Sequence, residues 1–314
     1  MNQKSFYRIF LFVLGLAVLT VSVPAQKKDK IKRAGTPVLW ERVNIKAQDT
    51  FYGPGGREGQ PDTSRFSVIR EDVGGHSKKY RVKDGSGNEW VAKIGDEAQS
   101  ETASVRLLSA LGYQTEVNYL LPKMTIDGKG TFSNVRLEAR PDNIDRGKVW
   151  KWGSTPFEGT RQMKGLMLMM AFINNWDMKS ANNVILHTGG RDLYAISDLG
   201  VSFGKTGSNG LPIIWRFGRS RNNPVDFANS RFVKDTKSGR VSVVFNGKNR
   251  SRMKSFTTAD ARWLSDLLNQ LSDAQIRDAF RAANYSQRNI NLLTQATKTR
   301  IRDLTRAAYD RRTS

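Results

Sequence analysis

The sequence has no cysteine and only two histidines, His76 and His187. Zinc sites of the Cys/His type, thiol catalysis, haem ligation and iron–sulfur clusters need thiolate or imidazole groups, so all of them are nearly excluded. A lipoprotein anchor is excluded as well, because it requires a cysteine after the leader. Any chemistry in this chain therefore relies on carboxylates, amide oxygens, hydroxyl groups or lysine.

Negative charge is scarce compared with positive charge. The 314 residues include 51 Lys and Arg against 29 Asp and Glu, which gives a formal net charge of +22. A field of this size attracts an anionic partner, such as an acidic protein, a lipid head group, a polysaccharide or a phosphorylated small molecule. A basic surface that serves only solubility is the alternative. Nucleic acid is not favoured as the partner, because the positive charge is the only feature of the sequence that supports it.

The first 25 residues have the pattern of a cleaved secretory signal. Lys4 and Arg8 precede a charge-free, mostly apolar run over residues 9–23, and Pro24 and Ala25 follow it. The run is shorter than the roughly 20 residues that a membrane-spanning helix needs. The pattern predicts a secreted or periplasmic protein with no transmembrane helix in the mature chain, and an uncleaved N-terminal anchor is the alternative.

The rest of the chain divides into three parts by its patterning. Residues 26–64 predict a linker followed by an irregular segment rich in glycine and proline. Residues 65–140 alternate in the manner of strands and predict a five-stranded antiparallel sheet with one inserted helix, for which Asp96 is the expected N-cap. Residues 141–314 predict a helical lobe with a basic insertion at 204–254. Its last three helices are expected at 258–271, 273–283 and 289–308.

One loop combines residue types suited to phosphate chemistry. It carries Asp177, Lys179 and Asn182 at relative positions 0, +2 and +5, after an apolar helix and before a short hairpin. The hairpin leads to Asp198-Leu199-Gly200, sixteen residues beyond Asn182. The setting of these residues, more than the three positions alone, favours a functional interpretation. A coincidental polar turn is the alternative.

This order resembles the catalytic loop and the metal-binding motif of the protein-kinase-like superfamily. The resemblance implies a nucleotide partner, with ATP and Mg²⁺ as cofactors. It also implies that Asp177 orients or deprotonates the attacking hydroxyl group and that Lys179 meets the transferred phosphate. Asn182 and Asp198 then hold Mg²⁺.

The β-rich part contains two further features of that superfamily. The run from Val91 to Ile94 resembles the strand whose lysine, here Lys93, contacts the α- and β-phosphates. Glu101 is the expected partner of Lys93, because the alternative, Glu97, lies in the first helical turn, where it already suits the helix dipole. Gly74 and Gly75 form either a phosphate-binding turn or an ordinary hairpin turn.

Departures from the eukaryotic protein-kinase pattern narrow the resemblance. Asn175-Trp176 replaces His-Arg before Asp177, Leu199 replaces Phe, and no Ala-Pro-Glu follows. The Asp-x-Gly-x-x-Phe-Gly from Asp198 to Gly204 is closer to lipid kinases and to atypical kinases of the secretory pathway. The resemblance therefore implies an α+β, two-lobed protein-kinase-like fold and an exported atypical kinase, which transfers phosphate from Mg-ATP to a hydroxyl of a protein, lipid or sugar. A catalytically inactive scaffold that docks an anionic polymer or partner through its basic face is the alternative.

The signal pattern generates the first testable prediction. We expect the exported protein to begin near Gln26, because signal peptidase reads the small residues that end the apolar run. N-terminal sequencing of material purified from outside the cytoplasm checks this expectation. Material that still begins at Met1 would show that the run is an uncleaved anchor.

Overall fold

The computed structural model describes residues 35–72, 78–207, 217–254 and 256–309. The predicted signal peptide and the turn at Gly74 and Gly75 lie outside these ranges. No helix in the described ranges has the length and apolarity needed to cross a membrane.

The segment that precedes the predicted sheet packs into the main core. It contains strand β1 (Thr36–Val38) and two 3-10 turns, Ile45–Ala47 and Gly53–Gly55, and the rest of it is irregular. The side chains of Leu39 and Ile45 are buried among the helices of the C-terminal part. Burial of such apolar side chains, and not regular secondary structure, fixes the path of this segment.

A five-stranded antiparallel sheet with one inserted helix follows, as the alternation predicts. The strands lie in the order β2-β3-β4-β6-β5. One face carries the apolar cluster of Tyr80, Val82 and Trp90, and strand alternation brings these side chains to the same side. The elements are β2 (Ser67–Asp72), β3 (Lys78–Lys83), β4 (Glu89–Ile94), α1 (Glu97–Ala110), β5 (Asn118–Ile126) and β6 (Gly130–Ala139).

Helix α1 is buried along nearly its whole length, since twelve of its fourteen residues are buried. Asp96 lies at the N-cap position, but its side chain makes no capping hydrogen bond, so the expected cap is wrong in this respect. The backbone of Asp96 is already helical, whereas a side-chain cap needs an extended residue. Gly112 ends the helix with a φ of +92°, and a Cβ there would lie 2.0 Å from the carbonyl oxygen of Glu41.

The C-terminal part is mainly helical and holds two small sheets. One sheet has the order β1-β9-β8-β7, with β1 parallel to β9, and the other has the order β10-β11-β12. Helices α4 and α5 begin with capping boxes, and the one at Ser272 and Gln275 is as predicted. The elements are β7 (Asp145–Arg146), α2 (Arg161–Phe172), β8 (Asn183–Thr188), β9 (Arg191–Ile196), α3 (Pro224–Asn229), β10 (Val233–Lys237), β11 (Arg240–Val243), β12 (Phe256–Thr257), α4 (Thr258–Leu268), α5 (Asp273–Ala282) and α6 (Gln287–Tyr309).

A buried arginine on α6 holds the end of α2 in place. Arg300 donates to the carbonyl oxygen of Phe172 at 2.8 Å and to that of Ser230 at 3.0 Å. Its guanidinium also lies 4.1 Å from the ring centroid of Phe227. Burial lowers the pKa of Arg300 to about 9. The side chain thus serves carbonyl groups that the end of α2 leaves without helical partners.

The role of Arg300 is testable by substitution. Arg300→Met should lower the free energy of unfolding by about 2–4 kcal/mol, because several buried carbonyl groups lose their donor. Arg302→Met, at an exposed position on the same helix, is the matched control and should change it by less than about 0.5 kcal/mol. Urea unfolding followed by circular dichroism measures both values. Equal losses in the two variants would contradict the role assigned to Arg300.

Candidate active site

Lys93 joins three elements at the centre of the candidate site. Its Nζ atom lies 3.0 Å from Oε2 of Glu101, 2.9 Å from Oε2 of Glu97 and 3.4 Å from Oδ1 of Asp198. The structure thus brings Lys93 of β4, the two glutamates of α1 and the Asp-x-Gly motif together. The alternatives that the sequence offered for the partner of Lys93 are both present, because both glutamates contact it.

The position of β4 explains why these charges gather. The strand is central in its sheet, and the Lys93 side chain is only 3% exposed. A lysine at such a position needs counter-charges, since an unpaired buried ammonium group is very costly. Burial alone would lower the pKa of Lys93, but the carboxylates of Glu101 and Asp198 raise it above the ordinary value. The site therefore keeps a permanent cation.

Arg136 is a part of the site that the sequence reasoning missed. It lies opposite Lys93 in the pairing of β4 with β6, and its Nε atom is 3.1 Å from Oε2 of Glu101. It also pairs with Glu138. Burial raises the pKa of Glu101 to about 7, against the opposing effect of Arg136 and Lys93. The sequence signal that could have found Arg136 is the alternation along β6, which places Arg136 and Glu138 on one face of an inner strand.

The ion pairs continue from Glu138 toward the Asp-x-Gly motif. Glu138 pairs with Arg140, whose Nη1 atom lies 3.4 Å from Oε1 of Glu116. Glu116 also pairs with Arg146, and Nη2 of Arg146 donates to Oγ of Ser197 at 2.9 Å. Ser197 directly precedes Asp198. Charges of alternating sign therefore connect the sheet with the strand end that carries the motif.

The predicted catalytic loop lies directly beside that motif. The backbone oxygen of Asn182 accepts the amide of Ser197 at 2.8 Å and the amide of Asp198 at 3.2 Å. The Nδ2 atom of Asn182 donates to the backbone oxygen of Asp177 at 2.7 Å. Nζ of Lys179 lies 2.7 Å from the carboxylate of Asp177. All four residues expected from this part of the sequence thus lie in one region.

Asp198 is held in place but stays accessible. Its Oδ1 atom accepts the amide of Gly200 at 3.1 Å, and the side chain is 39% exposed. Burial acts to raise the pKa of Asp198, but Lys93, the amide of Gly200 and Arg136 together outweigh this effect and lower the pKa below its usual value. A Cβ at Gly200 would lie 2.6 Å from Cβ of Glu97, so only glycine allows α1 to approach so closely.

The residues present fit a magnesium–nucleotide complex. Asn182 and Asp198 offer an amide oxygen and a carboxylate, which are the hard ligands that Mg²⁺ prefers. Within the described ranges, no group of three His, Cys, Asp or Glu residues comes together as a metal site. A metal ion held by Asn182 and Asp198 therefore needs phosphate or water oxygens as its other ligands, as nucleotide sites provide.

Two cations of the basic region support this site directly. The guanidinium of Arg219 lies 4.7 Å from the ring centroid of Trp176, the neighbour of Asp177, and Nε1 of Trp176 donates to the carbonyl oxygen of Ser220. Arg221 contacts Glu97 at 2.9 Å. The basic insertion at 204–254 contains helix α3 and the strands β10 and β11. Part of its positive charge thus belongs to the architecture of the site.

Comparisons with known proteins agree with this architecture. No family model matches the chain, and no curated protein matches it. The crystal structure of the Helicobacter pylori proinflammatory kinase CtkA is similar, with a TM-score of 0.50 and 11% sequence identity over 80% of this chain and 98% of that one. The structure of an apo pseudokinase covers 90% of this chain and 99% of its own at 13% identity, but its TM-score of 0.21 supports no conclusion. The strand order, the element order and the likeness to CtkA show that the chain has a two-lobed α+β protein-kinase-like fold.

Proposed function

We propose that this chain is an exported atypical kinase that transfers phosphate from Mg-ATP to a hydroxyl group. One observation carries the proposal: Nζ of Lys93 lies within 3.4 Å of both Glu101 and Asp198. The loop of Asp177 meets the same Asp198 through the backbone of Asn182. The residues to which we assign the phosphate-binding cation, the two metal ligands and the base thus lie close together.

Each side chain of the candidate site has a separate role in the proposed phosphoryl transfer. Lys93, oriented by Glu101, would donate to the α- and β-phosphates, and Asp198 and Asn182 would hold Mg²⁺, which would supply charge neutralisation on the phosphates. Asp177 accepts the hydroxyl proton of the acceptor while the acceptor oxygen attacks the terminal phosphorus, and ADP leaves. Lys179 stabilises the negative charge on the phosphoryl group in transfer.

The acceptor in this proposal is an anionic protein, lipid or sugar. The formal charge of +22 favours an anionic molecule at the surface, and the first 25 residues favour an acceptor outside the cytoplasm.

A second candidate function is nucleotide or partner binding without transfer. Two observations favour it. The ammonium group of Lys179 lies 2.7 Å from the carboxylate of Asp177, so the expected base is already paired with a cation. Export, which the first 25 residues favour, would also take the chain to a compartment where ATP is scarce in bacteria. In this version the basic region docks an anionic polymer or partner.

Nucleotide binding is tested first. Mg-ATP should raise the free energy of unfolding by about 2.7 kcal/mol at 100 times its dissociation constant, because it binds only the folded chain. Asp198→Ala should abolish this stabilisation, because the Mg²⁺ that neutralises the phosphates would lose its main protein ligand. Asp235→Ala, at an exposed carboxylate on β10, is the control and should keep it. Thermal-shift titrations measure all three, and equal stabilisation of Asp198→Ala and wild type would overturn the assignment of the motif.

Transfer is tested separately from binding. Asp177→Ala should keep the nucleotide affinity within a few fold, whereas turnover should fall by roughly 10²–10⁴, the usual contribution of a general base. Turnover is measured as release of ADP in the presence of candidate acceptors. Saturable Mg-ATP binding with no difference in turnover between wild type and Asp177→Ala would favour the binding protein over the kinase.

A further inference from the structure

The three-stranded sheet of β10, β11 and β12 borders a cavity of about 580 Å³ that the proposed transfer does not use. Three cations line it: Lys234 from β10, and Arg250 and Lys254 from the loop after β11. Among the described residues no carboxylate lines this cavity. Across the same ranges the three side chains make no ion pair or hydrogen bond. Three like charges thus face one space, and the described part of the chain brings no counter-charge to them.

The cavity also has an apolar wall. The side chains of Phe245 and Met253 are buried and border it, together with Val243 and Val244. Its volume lies within the range of about 300–1,000 Å³ that is typical of small-molecule sites. A wall of this kind suits the carbon skeleton of a ligand, whereas the three cations suit its charged groups.

The charge of the cavity favours phosphate over carboxylate. A single carboxylate would leave two of the three cations without a partner, whereas a phosphate ester carries close to two negative charges and three acceptor oxygens. We propose that this cavity binds a phosphate-bearing ligand, either a soluble phosphorylated molecule or the head group of a phosphorylated lipid. Arg250 can grip a phosphate bidentately, while Lys234 and Lys254 act as point charges.

An adjoining cavity extends the site. It measures about 430 Å³ and shares Lys234 and Val244 with the first cavity. It adds two further cations, Lys205 and Arg231, and again no described carboxylate lines it. Two adjoining spaces with five cations between them suit a ligand that carries more than one phosphate group.

The short segment between two lining residues, Asn246 and Arg250, also supports the predicted catalytic loop. The amide of Lys248 donates to the carbonyl oxygen of Trp176 at 2.8 Å, and Nδ2 of Asn249 donates to that of Met178 at 2.6 Å. These carbonyl groups flank Asp177. A ligand that fixes Arg250 should therefore also steady the backbone on both sides of Asp177. Binding itself requires neither nucleotide nor phosphate transfer, so it stands apart from the proposed kinase activity.

Direct binding tests the proposal on the full mature chain. Inorganic tripolyphosphate is titrated by calorimetry without Mg²⁺, a condition that keeps it away from the metal-dependent nucleotide site. The triple variant Lys234→Gln, Arg250→Gln, Lys254→Gln should bind at least about tenfold more weakly, because each lost phosphate contact also removes part of the counterion release. The control variant Lys237→Gln, Arg240→Gln, Arg288→Gln removes the same charge from exposed positions that do not line either cavity. It should bind within about twofold of wild type, since long-range charge effects are screened.

Several results would overturn the proposal. Equal loss in the two triple variants would mean that only net charge attracts the anion, and equal affinity in all three proteins would mean that the cavity is not the site. Polyglutamate that binds in a cavity-dependent manner, with no binding of tripolyphosphate, would assign the site to carboxylates.

Vesicles of phosphatidylcholine with a phosphoinositide, compared with phosphatidylserine vesicles of equal charge, identify the source of the phosphate. Binding of the phosphoinositide vesicles alone assigns a lipid head group, and binding of tripolyphosphate without vesicle binding assigns a soluble ligand.

Discussion

The buried ammonium group of Lys93 determines how the five-stranded sheet, α1 and the Asp-x-Gly motif meet. Lys93 lies in a central strand where water does not reach it, so the fold has to bring carboxylates to it. Glu97 and Glu101 fix the rotation of α1 about its axis, and Asp198 fixes the position of the strand end that carries the motif. Arg136 then balances the surplus of negative charge. The contacts of Lys93 that the candidate site requires are thus also contacts that the buried charge requires.

Much of this arrangement was readable from local patterns. Alternation along residues 65–140 gave the sheet, and the spacing of Asp177, Asn182 and Asp198 gave the loop beside the motif. The capping box at Ser272 and Gln275 marked the start of α5 correctly. The strands and the cap depend on neighbours within a few residues, and local sequence specifies such neighbours well.

The features that were missed depend on distant pairings. The role of Arg136 follows from the register between β4 and β6, more than forty residues apart in sequence, which alternation alone does not determine. The parallel pairing of β1 with β9 joins segments still further apart. From the sequence alone, Arg219 and Arg221 cannot be distinguished from the other cations of the basic region, because their partners Trp176 and Glu97 contact them only in the folded chain. Charge density in a sequence does not distinguish a structural cation from a free one.

The near-complete burial of α1 has a consequence for how the site responds to ligands. Such a helix cannot rotate away from Lys93 without exposing apolar surface and leaving charged groups unpaired, which would cost several kcal/mol. The ion pair between Lys93 and Glu101 is therefore formed before any ligand arrives, and little of a ligand's binding free energy is lost in assembling it. A site built in this way is pre-organised, so control of the proposed activity would fall on access to these groups and on the supply of partners, and not on a switch of the helix between two states.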